Sequence, residues 1–132
     1  KCCLKNEVTL KCTNFHLMNR FLKSFKFAAK GLSYTIATQP NFIFHLVVAV
    51  LVIAAGWYFD ISNGEWLAVL ICIGLVMVAE LLNTAVEVLV DWLSPEFNVK
   101  AGLVKDIAAG AVLMSALVAL VVAFVIFVPK IF

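Results

Sequence analysis

Residues 66–92 read WLAVLICIGLVMVAELLNTAVEVLVDW. The stretch is apolar as far as Ala79, and a tryptophan stands at each of its ends. At about 1.5 Å per residue, a helix of this length reaches roughly 40 Å, enough to cross the roughly 30 Å hydrocarbon core of a bilayer. Tryptophan is enriched where such helices leave the membrane. The stretch therefore predicts a transmembrane helix whose second half carries polar residues.

Two further apolar runs predict two more spans. The sequence Gln39-Pro40-Asn41 should break a preceding helix, because proline lacks a backbone N–H and disfavours helical geometry in the residue before it. An apolar run with one polar member, His45, follows this break. The last run, Ile107–Val128, contains no charged residue. The predicted spans cover about residues 42–59, 66–92 and 107–128.

The overall composition agrees with a membrane protein. Of the 132 residues, 64% are hydrophobic and only 14% are charged, and the mean hydropathy is +1.08. Soluble globular domains are usually about half apolar and about a quarter charged. So little polar surface could not cover a water-facing globule, and the composition excludes a soluble domain.

The basic residues are concentrated near the start of the chain. Seven of the ten precede Gly31, where the only acidic residue is Glu7. Such a cluster beside apolar spans favours anionic lipid head groups as its partner, and no nucleic-acid-binding motif accompanies it, so we expect no nucleic-acid partner. The second loop carries Lys100 and Lys105, whereas the first loop has no basic residue. By the positive-inside rule, the N-terminus and second loop are cytoplasmic and the C-terminus lies outside.

Before the first span, the sequence predicts an amphipathic helix in the membrane interface. At about 100° per residue, its apolar side chains fall on one arc and its basic side chains on the opposite arc. The apolar arc contains Phe21, Leu22, Phe25, Ala28, Ala29 and Leu32, and the basic arc contains Arg20, Lys23, Lys26 and Lys30.

The first 17 residues are interpreted separately. Residues 1–17 lack the apolar run of a signal peptide and precede the amphipathic pattern, so they are predicted to be a disordered or start-site extension. Residues 18–132 are predicted to form a single domain. A zinc site made of Cys2, Cys3, Cys12 and His16 is an alternative, although the spacing fits no standard finger.

Four polar residues form one stripe on the second predicted span. With Glu80 as the angular zero, Asn83 falls at about 300°, Glu87 at about 340° and Asp91 at about 20°. We call these four residues the acidic stripe. Charge within a membrane helix costs at least about 2.5 kcal/mol per residue near the centre, so a stripe like this indicates function.

Three interpretations of the acidic stripe compete. Its carboxylates could be neutralised by cations of neighbouring helices, but only Lys105 is predicted near that depth. The stripe could line an ion or proton path through an assembly. It could also bind Mg²⁺, which prefers oxygen ligands and usually binds together with nucleotide phosphates. We favour the metal, because Lys105-Asp106 is predicted to open the third helix at the same level, where a helix N-terminus and a lysine both attract phosphate.

The common nucleotide-binding motifs are missing from the sequence. It contains neither a Gly-x-x-x-x-Gly-Lys-Ser/Thr loop nor the Gly-rich loop and His-Arg-Asp triplet of protein kinases. A phosphoryl transferase with this sequence would therefore use a different architecture.

The residues of the acidic stripe resemble a known family. Residues 79–87 read AELLNTAVE, similar to the signature Glu-x-x-Asn-(Ser/Thr)-Ala-x-Glu of the small trimeric bacterial diacylglycerol kinases and the related undecaprenol kinases. Asp91, Lys105-Asp106 and Gly31-Leu32 fall at matching intervals. The resemblance covers about residues 19–132. It implies an all-α integral membrane protein with an amphipathic surface helix and three transmembrane helices, assembled as a homotrimer in the bacterial cytoplasmic (inner) membrane.

The resemblance also implies roles for individual residues. Glu80 would be the catalytic base, and Glu87 would bind the Mg²⁺ that bridges the ATP phosphates. The family usually has a second metal-binding Glu where this chain has Gln39, whose amide oxygen can be a ligand but brings no charge. The nucleotide-binding group would contain Asn83, Asp91, Lys105 and Asp106, and contacts with the lipid substrate would come from Ala28, Gly31 and Leu32.

The sequence thus leads to one main hypothesis and one rival. The main hypothesis is an ATP-dependent lipid kinase that phosphorylates the hydroxyl of a membrane lipid, either diacylglycerol or undecaprenol. The rival is a weakened or non-enzymatic member that acts as a small oligomeric channel or as an assembly subunit.

Overall fold

The computed structural model describes residues 23–96 and 98–132. The chain divides into two compact units, Lys1–Tyr34 and Thr35–Phe132. The predicted extension of residues 1–17 and the alternative zinc site within it lie outside the described residues, as do residues 18–22 of the predicted surface helix.

The described part of the first unit is helical. We call this helix α1; its described residues are 23–38, of which the last four belong to the second unit. Every side chain from 23 to 34 is exposed. The placement of this helix in a membrane interface stays a prediction.

The predicted break at Pro40 is confirmed. Gln39 has an extended backbone (φ −112°, ψ 101°), and helix α2 then spans Pro40–Tyr58 with the proline in its first turn. Proline suits that position because its missing N–H would have no partner there. The helix ends in a tight turn in which Asp60 has a φ of 47°, a conformation that Asp and Asn tolerate better than most residues.

Helix α3 spans Asn63–Leu93 and starts three residues earlier than predicted. Ser62 and Glu65 form a reciprocal capping box: Glu65 Oε2 accepts from the Ser62 N–H at 2.7 Å, and Ser62 Oγ accepts from the Glu65 N–H at 3.4 Å. This arrangement satisfies two N–H groups that would otherwise lack partners at the helix end.

Helix α4 spans Val99–Ile131, so the prediction that Lys105-Asp106 opens the third helix is wrong. The connection after α3 is shorter than predicted, and α4 begins almost two turns before Lys105. The reason is Asn98, whose side-chain oxygen accepts from the backbone N–H groups of Lys100 and Ala101 and caps the helix there.

Helices α2, α3 and α4 are each long and apolar enough to cross a membrane. Most of their large apolar side chains are exposed, including Phe44, Leu117 and Val125. So large an apolar surface needs lipid or neighbouring helices around it. The all-helical architecture with three candidate spans agrees with the sequence prediction.

Helix α3 packs against both α4 and α2. A buried hydrophobic cluster lies at the end of the unit that contains the turn at residues 59–62, which we call the turn end. Ile61, Val69 and Ile126 are buried there, the rings of Phe59 and Phe127 meet edge to face at 6.0 Å, and Lys130 Nζ lies 3.3 Å from Glu65 Oε2. A Cβ atom on Gly56 would come within 2.9 Å of the Trp66 ring, so a larger residue there would displace the ring.

Candidate active site

The deeper residues of the acidic stripe are buried within a single protomer. Glu80 and Asn83 are only 3% and 7% exposed, Glu87 is half-buried, and Asp91 is exposed. The spacing of these residues in the sequence predicts that they share one face of the helix. In the structure, the residues on this face become more exposed from Glu80 to Asp91. The opposite end of the unit from the turn end, where Glu87 and Asp91 lie, is called the site end below.

Glu87 is held by two amide groups. Gln39 Nε2 donates to Glu87 Oε2 at 3.0 Å from the start of α2, and Asn83 Nδ2 donates to Glu87 Oε1 at 2.9 Å from one turn earlier on α3. Both donors are neutral, so they fix the carboxylate without cancelling its charge. Such a group remains able to attract a cation.

The orientation of Asn83 leaves a buried oxygen unused. With its Nδ2 bound to Glu87, Asn83 Oδ1 is buried and has no hydrogen-bond partner. An unsatisfied buried acceptor costs about 1–3 kcal/mol, and native structures usually retain such an atom for a ligand, ion or water. This oxygen is therefore positioned to receive a donor or a cation beside Glu87.

Glu80 has a different partner. His45 Nε2 on α2 lies 3.4 Å from Glu80 Oε1, and the two side chains are 19% and 4% exposed. The sequence analysis noted His45 as the one polar residue of its span but gave it no role. The signal that could have found it is the position itself, because an ionisable residue within a membrane span usually marks a functional site.

The cations near the site do not neutralise the buried carboxylates. Lys105 pairs with Asp91, near the site end. Within residues 23–96 and 98–132, neither Glu80 nor Glu87 has a Lys or Arg nitrogen within 4.0 Å. The interpretation of the stripe as a set of ion pairs therefore describes Asp91 but not the two glutamates of this protomer.

The remaining predicted site residues are exposed. Asp106 is exposed next to Lys105 on α4. Ala28, Gly31 and Leu32 are exposed on the part of α1 that belongs to the first unit, and their contact with a lipid stays a prediction.

The donor set fits magnesium held jointly with a nucleotide. Across the part of the chain that the structure describes, no three His, Cys, Asp or Glu side chains converge to form a metal cage. Mg²⁺ does not need one, since it usually binds through one or two carboxylates, several waters and the phosphates of a substrate. Glu87, with the unused oxygen of Asn83 beside it, supplies ligands of this kind.

An apolar cleft of about 420 Å³ runs between α2, α3 and α4 from the level of His45 toward the turn end. His45 stands in its wall, while the other lining residues are apolar side chains and Cys72. The cleft extends from His45, beside Glu80, as far as Val69. That is eleven residues along α3, or roughly 16 Å, which is about half the thickness of a bilayer core.

Comparisons with known proteins agree with these observations. Residues 26–127 match the family profile described as prokaryotic diacylglycerol kinase. An undecaprenol kinase of Bacillus subtilis is 39% identical over 113 residues, which are 86% of this chain and 92% of that protein. A diacylglycerol kinase of Synechocystis is 38% identical over 82% of this chain and 62% of its own length. A diacylglycerol kinase of Escherichia coli is 28% identical over 77% of this chain and 84% of its own length. The chain therefore belongs to the prokaryotic diacylglycerol kinase family, a family of lipid kinases.

Proposed function

We propose that the protein transfers the γ-phosphate of ATP to the hydroxyl group of a membrane lipid, with Glu80 as general base and Glu87 as a ligand of Mg²⁺. The observation that carries this proposal is the pair of glutamates on one face of α3, one buried and one half-buried, neither joined to a Lys or Arg among the described residues. Retaining uncompensated carboxylates at this depth is costly, and phosphoryl transfer uses both a base and an anionic metal ligand.

The two glutamates are suited to different tasks. Glu80 contacts His45, an imidazole in the wall of the apolar cleft, and in this proposal the hydroxyl group of the lipid approaches Glu80 from there. Glu87 lies seven residues nearer the site end, about 10 Å along the helix axis, between two amide donors. We assign proton transfer to the first and nucleotide attachment to the second.

In the proposed reaction, the O–H bond of the lipid breaks and its proton passes to the Glu80 carboxylate. The lipid oxygen forms a bond to the γ-phosphorus while the bond between that phosphorus and the β–γ bridging oxygen breaks, so the products are a lipid phosphate and ADP. Bound Mg²⁺ would neutralise charge on the phosphate oxygens. The contribution of the protein is mainly positioning and electrostatics, which can supply most of the acceleration in such transfers.

The membrane arrangement is also proposed. We place the site end and the N-terminus at the cytoplasmic face of the bacterial inner membrane, where ATP is available, and the C-terminus outside, because the basic residues favour that orientation. We further propose a homotrimer, in which a neighbouring protomer covers part of the exposed apolar surface and adds groups such as Lys105 and Asp106 to a shared site.

The test of this function is direct phosphoryl transfer. The purified protein in detergent, given labelled ATP and Mg²⁺, should form labelled lipid phosphate with diacylglycerol, undecaprenol or both, and a lipid without a hydroxyl should give none. The relatives carry both substrate names at similar identity, so the two lipids are compared at equal surface concentration. Ion flux through reconstituted vesicles, with no ATP turnover under any lipid condition, would instead support the rival channel.

Changing Gln39 to Glu should increase the dependence of the protein on Mg²⁺. The substitution replaces a donor 3.0 Å from Glu87 Oε2 by a second carboxylate, and two adjacent negative charges repel each other unless a cation lies between them or one is protonated. Without Mg²⁺, we expect the variant to have a lower melting temperature than the parent. With Mg²⁺, its melting temperature should equal or exceed that of the parent, and it should need a lower Mg²⁺ concentration for half-maximal activity. Binding at 100 times Kd adds about 2.7 kcal/mol to stability.

Asn63→Asp is the control for this substitution, since it adds the same charge at the exposed start of α3, at the turn end. Its Mg²⁺ dependence should match that of the parent. If Gln39→Glu also titrates like the parent, residue 39 is not a metal ligand.

A further inference from the structure

The partner of Glu80 is distinct from the partners of Glu87. His45 and Gln39 lie six residues apart on α2, and the glutamates that they contact lie seven residues apart on α3. The two antiparallel helices thus form two polar contacts, roughly 9–10 Å apart along their axes. One joins an imidazole to the proposed base, and the other joins amides to the proposed metal ligand.

The amide of Asn83 cannot take the place of His45. Asn83 donates through Nδ2 to Glu87. Thr84, also buried beside Glu80, donates its hydroxyl to the backbone carbonyl of Glu80 and not to its carboxylate. Among the described residues, His45 is the side chain recorded in contact with the Glu80 carboxylate.

The location of His45 argues against a role in filling space. It stands in the wall of the apolar cleft, where an imidazole without a polar partner would be costly and an aliphatic side chain would pack at least as well. The distance of 3.4 Å between His45 Nε2 and Glu80 Oε1 is longer than a normal hydrogen bond, and catalytic contacts are often long before substrate binds.

We propose that His45 is a positioning residue for Glu80. When substrate binds, its Nε2–H donates to Glu80 Oε1 and turns the carboxylate so that the other oxygen, Oε2, faces the lipid hydroxyl at the end of the cleft where His45 lies. His45 itself touches no reacting atom. This inference rests on the proposed function of Glu80. It means that a residue on α2 orients the base on α3.

The geometry provides a matched set of substitutions. Glutamine places its amide nitrogen close to the position of histidine Nε2, whereas the shorter asparagine places it near Nδ1. His45→Gln should therefore keep most of kcat. His45→Asn and His45→Ala should lower kcat by about 10- to 100-fold, the scale of a 1 Å misplacement, with little change in KM for ATP.

A double-mutant cycle separates positioning from a general structural effect. If His45 acts through Glu80, His45→Ala should lower the transfer rate in the parent but leave the residual rate of Glu80→Gln unchanged. Melting temperature and oligomeric state are measured for every variant, and if His45→Ala does not fold, the comparison of the Gln and Asn variants remains decisive because both are amides.

Three results would overturn the inference. His45→Asn could keep the parental kcat, the Gln and Asn variants could lose activity equally, or His45→Ala could slow Glu80→Gln as much as it slows the parent. The proposed function fails separately, if Glu80→Gln itself turns over like the parent.

Discussion

Glu80→Gln should lower kcat by at least about 10²-fold, the usual scale for the loss of a general base. The substitution keeps the size of the side chain and leaves an oxygen that can still accept from His45, so the buried site should remain packed. Only the capacity to take a proton from the lipid hydroxyl is removed. KM for ATP should change little, because the proposed nucleotide contacts lie nearer the site end. Initial rates of labelled lipid phosphate formation give both constants.

Glu96→Gln is the matched control for this prediction. It makes the same chemical change on an exposed residue between α3 and α4, and it should retain the parental kcat. A parental kcat in Glu80→Gln would contradict the assignment of Glu80 as general base. If Glu80→Gln shows no melting transition and so does not fold, the kcat of Glu80→Asp is measured as well.

Glu87→Gln should also reduce activity by at least about 10²-fold, but with a different signature. The carboxylate lies between Gln39 and Asn83, and it is the group proposed to hold Mg²⁺ on the nucleotide. Loss of one negative charge should raise the Mg²⁺ concentration needed for half-maximal activity and weaken ATP binding, because metal and phosphates bind together. Mg²⁺ titrations of kcat/KM, compared with those of Glu80→Gln, measure this difference.

The double variant Gln39→Glu/Glu87→Gln tests whether the metal accounts for the loss. It exchanges the amide and the carboxylate across their 3.0 Å hydrogen bond and so retains one charge in the same place. Part of the lost Mg²⁺ affinity should return, a coupling that double-mutant cycles can measure. No recovery, together with unchanged Mg²⁺ dependence in Glu87→Gln alone, would remove Glu87 from the metal site.

The sequence predicted the helices well and their ends less well. Hydropathy and Pro40 predict the three spans and the break before α2 because both depend on local chemistry. The early start of α3 was missed, although Ser62-x-x-Glu65 is a recognisable capping box. The start of α4 was misplaced because Lys100 and Lys105 were interpreted as loop residues, while Asn98 caps a helix that accommodates both lysines.

The site was only half predictable for a similar reason. Helical spacing alone places Glu80, Asn83 and Glu87 on one face, so that part required no tertiary information. Their partners depend on the register between α2 and α3. If residues equally distant from the turn at 59–62 faced each other, Glu80 would lie opposite a residue near Asn41. Its observed neighbour is His45, one helical turn away. Periodicity cannot supply such an offset, which depends on how the turn end packs.

The contacts at the turn end join all three long helices. Gly56 against Trp66, the ring pair Phe59–Phe127 and the ion pair Lys130–Glu65 all fasten the helices at that end. When helices are joined at one end, a small change in the angle between them produces its largest displacement at the opposite end. The opposite end carries Gln39 and Lys105, so we expect substitutions at the turn end to change the spacing of the proposed site although they lie far from it.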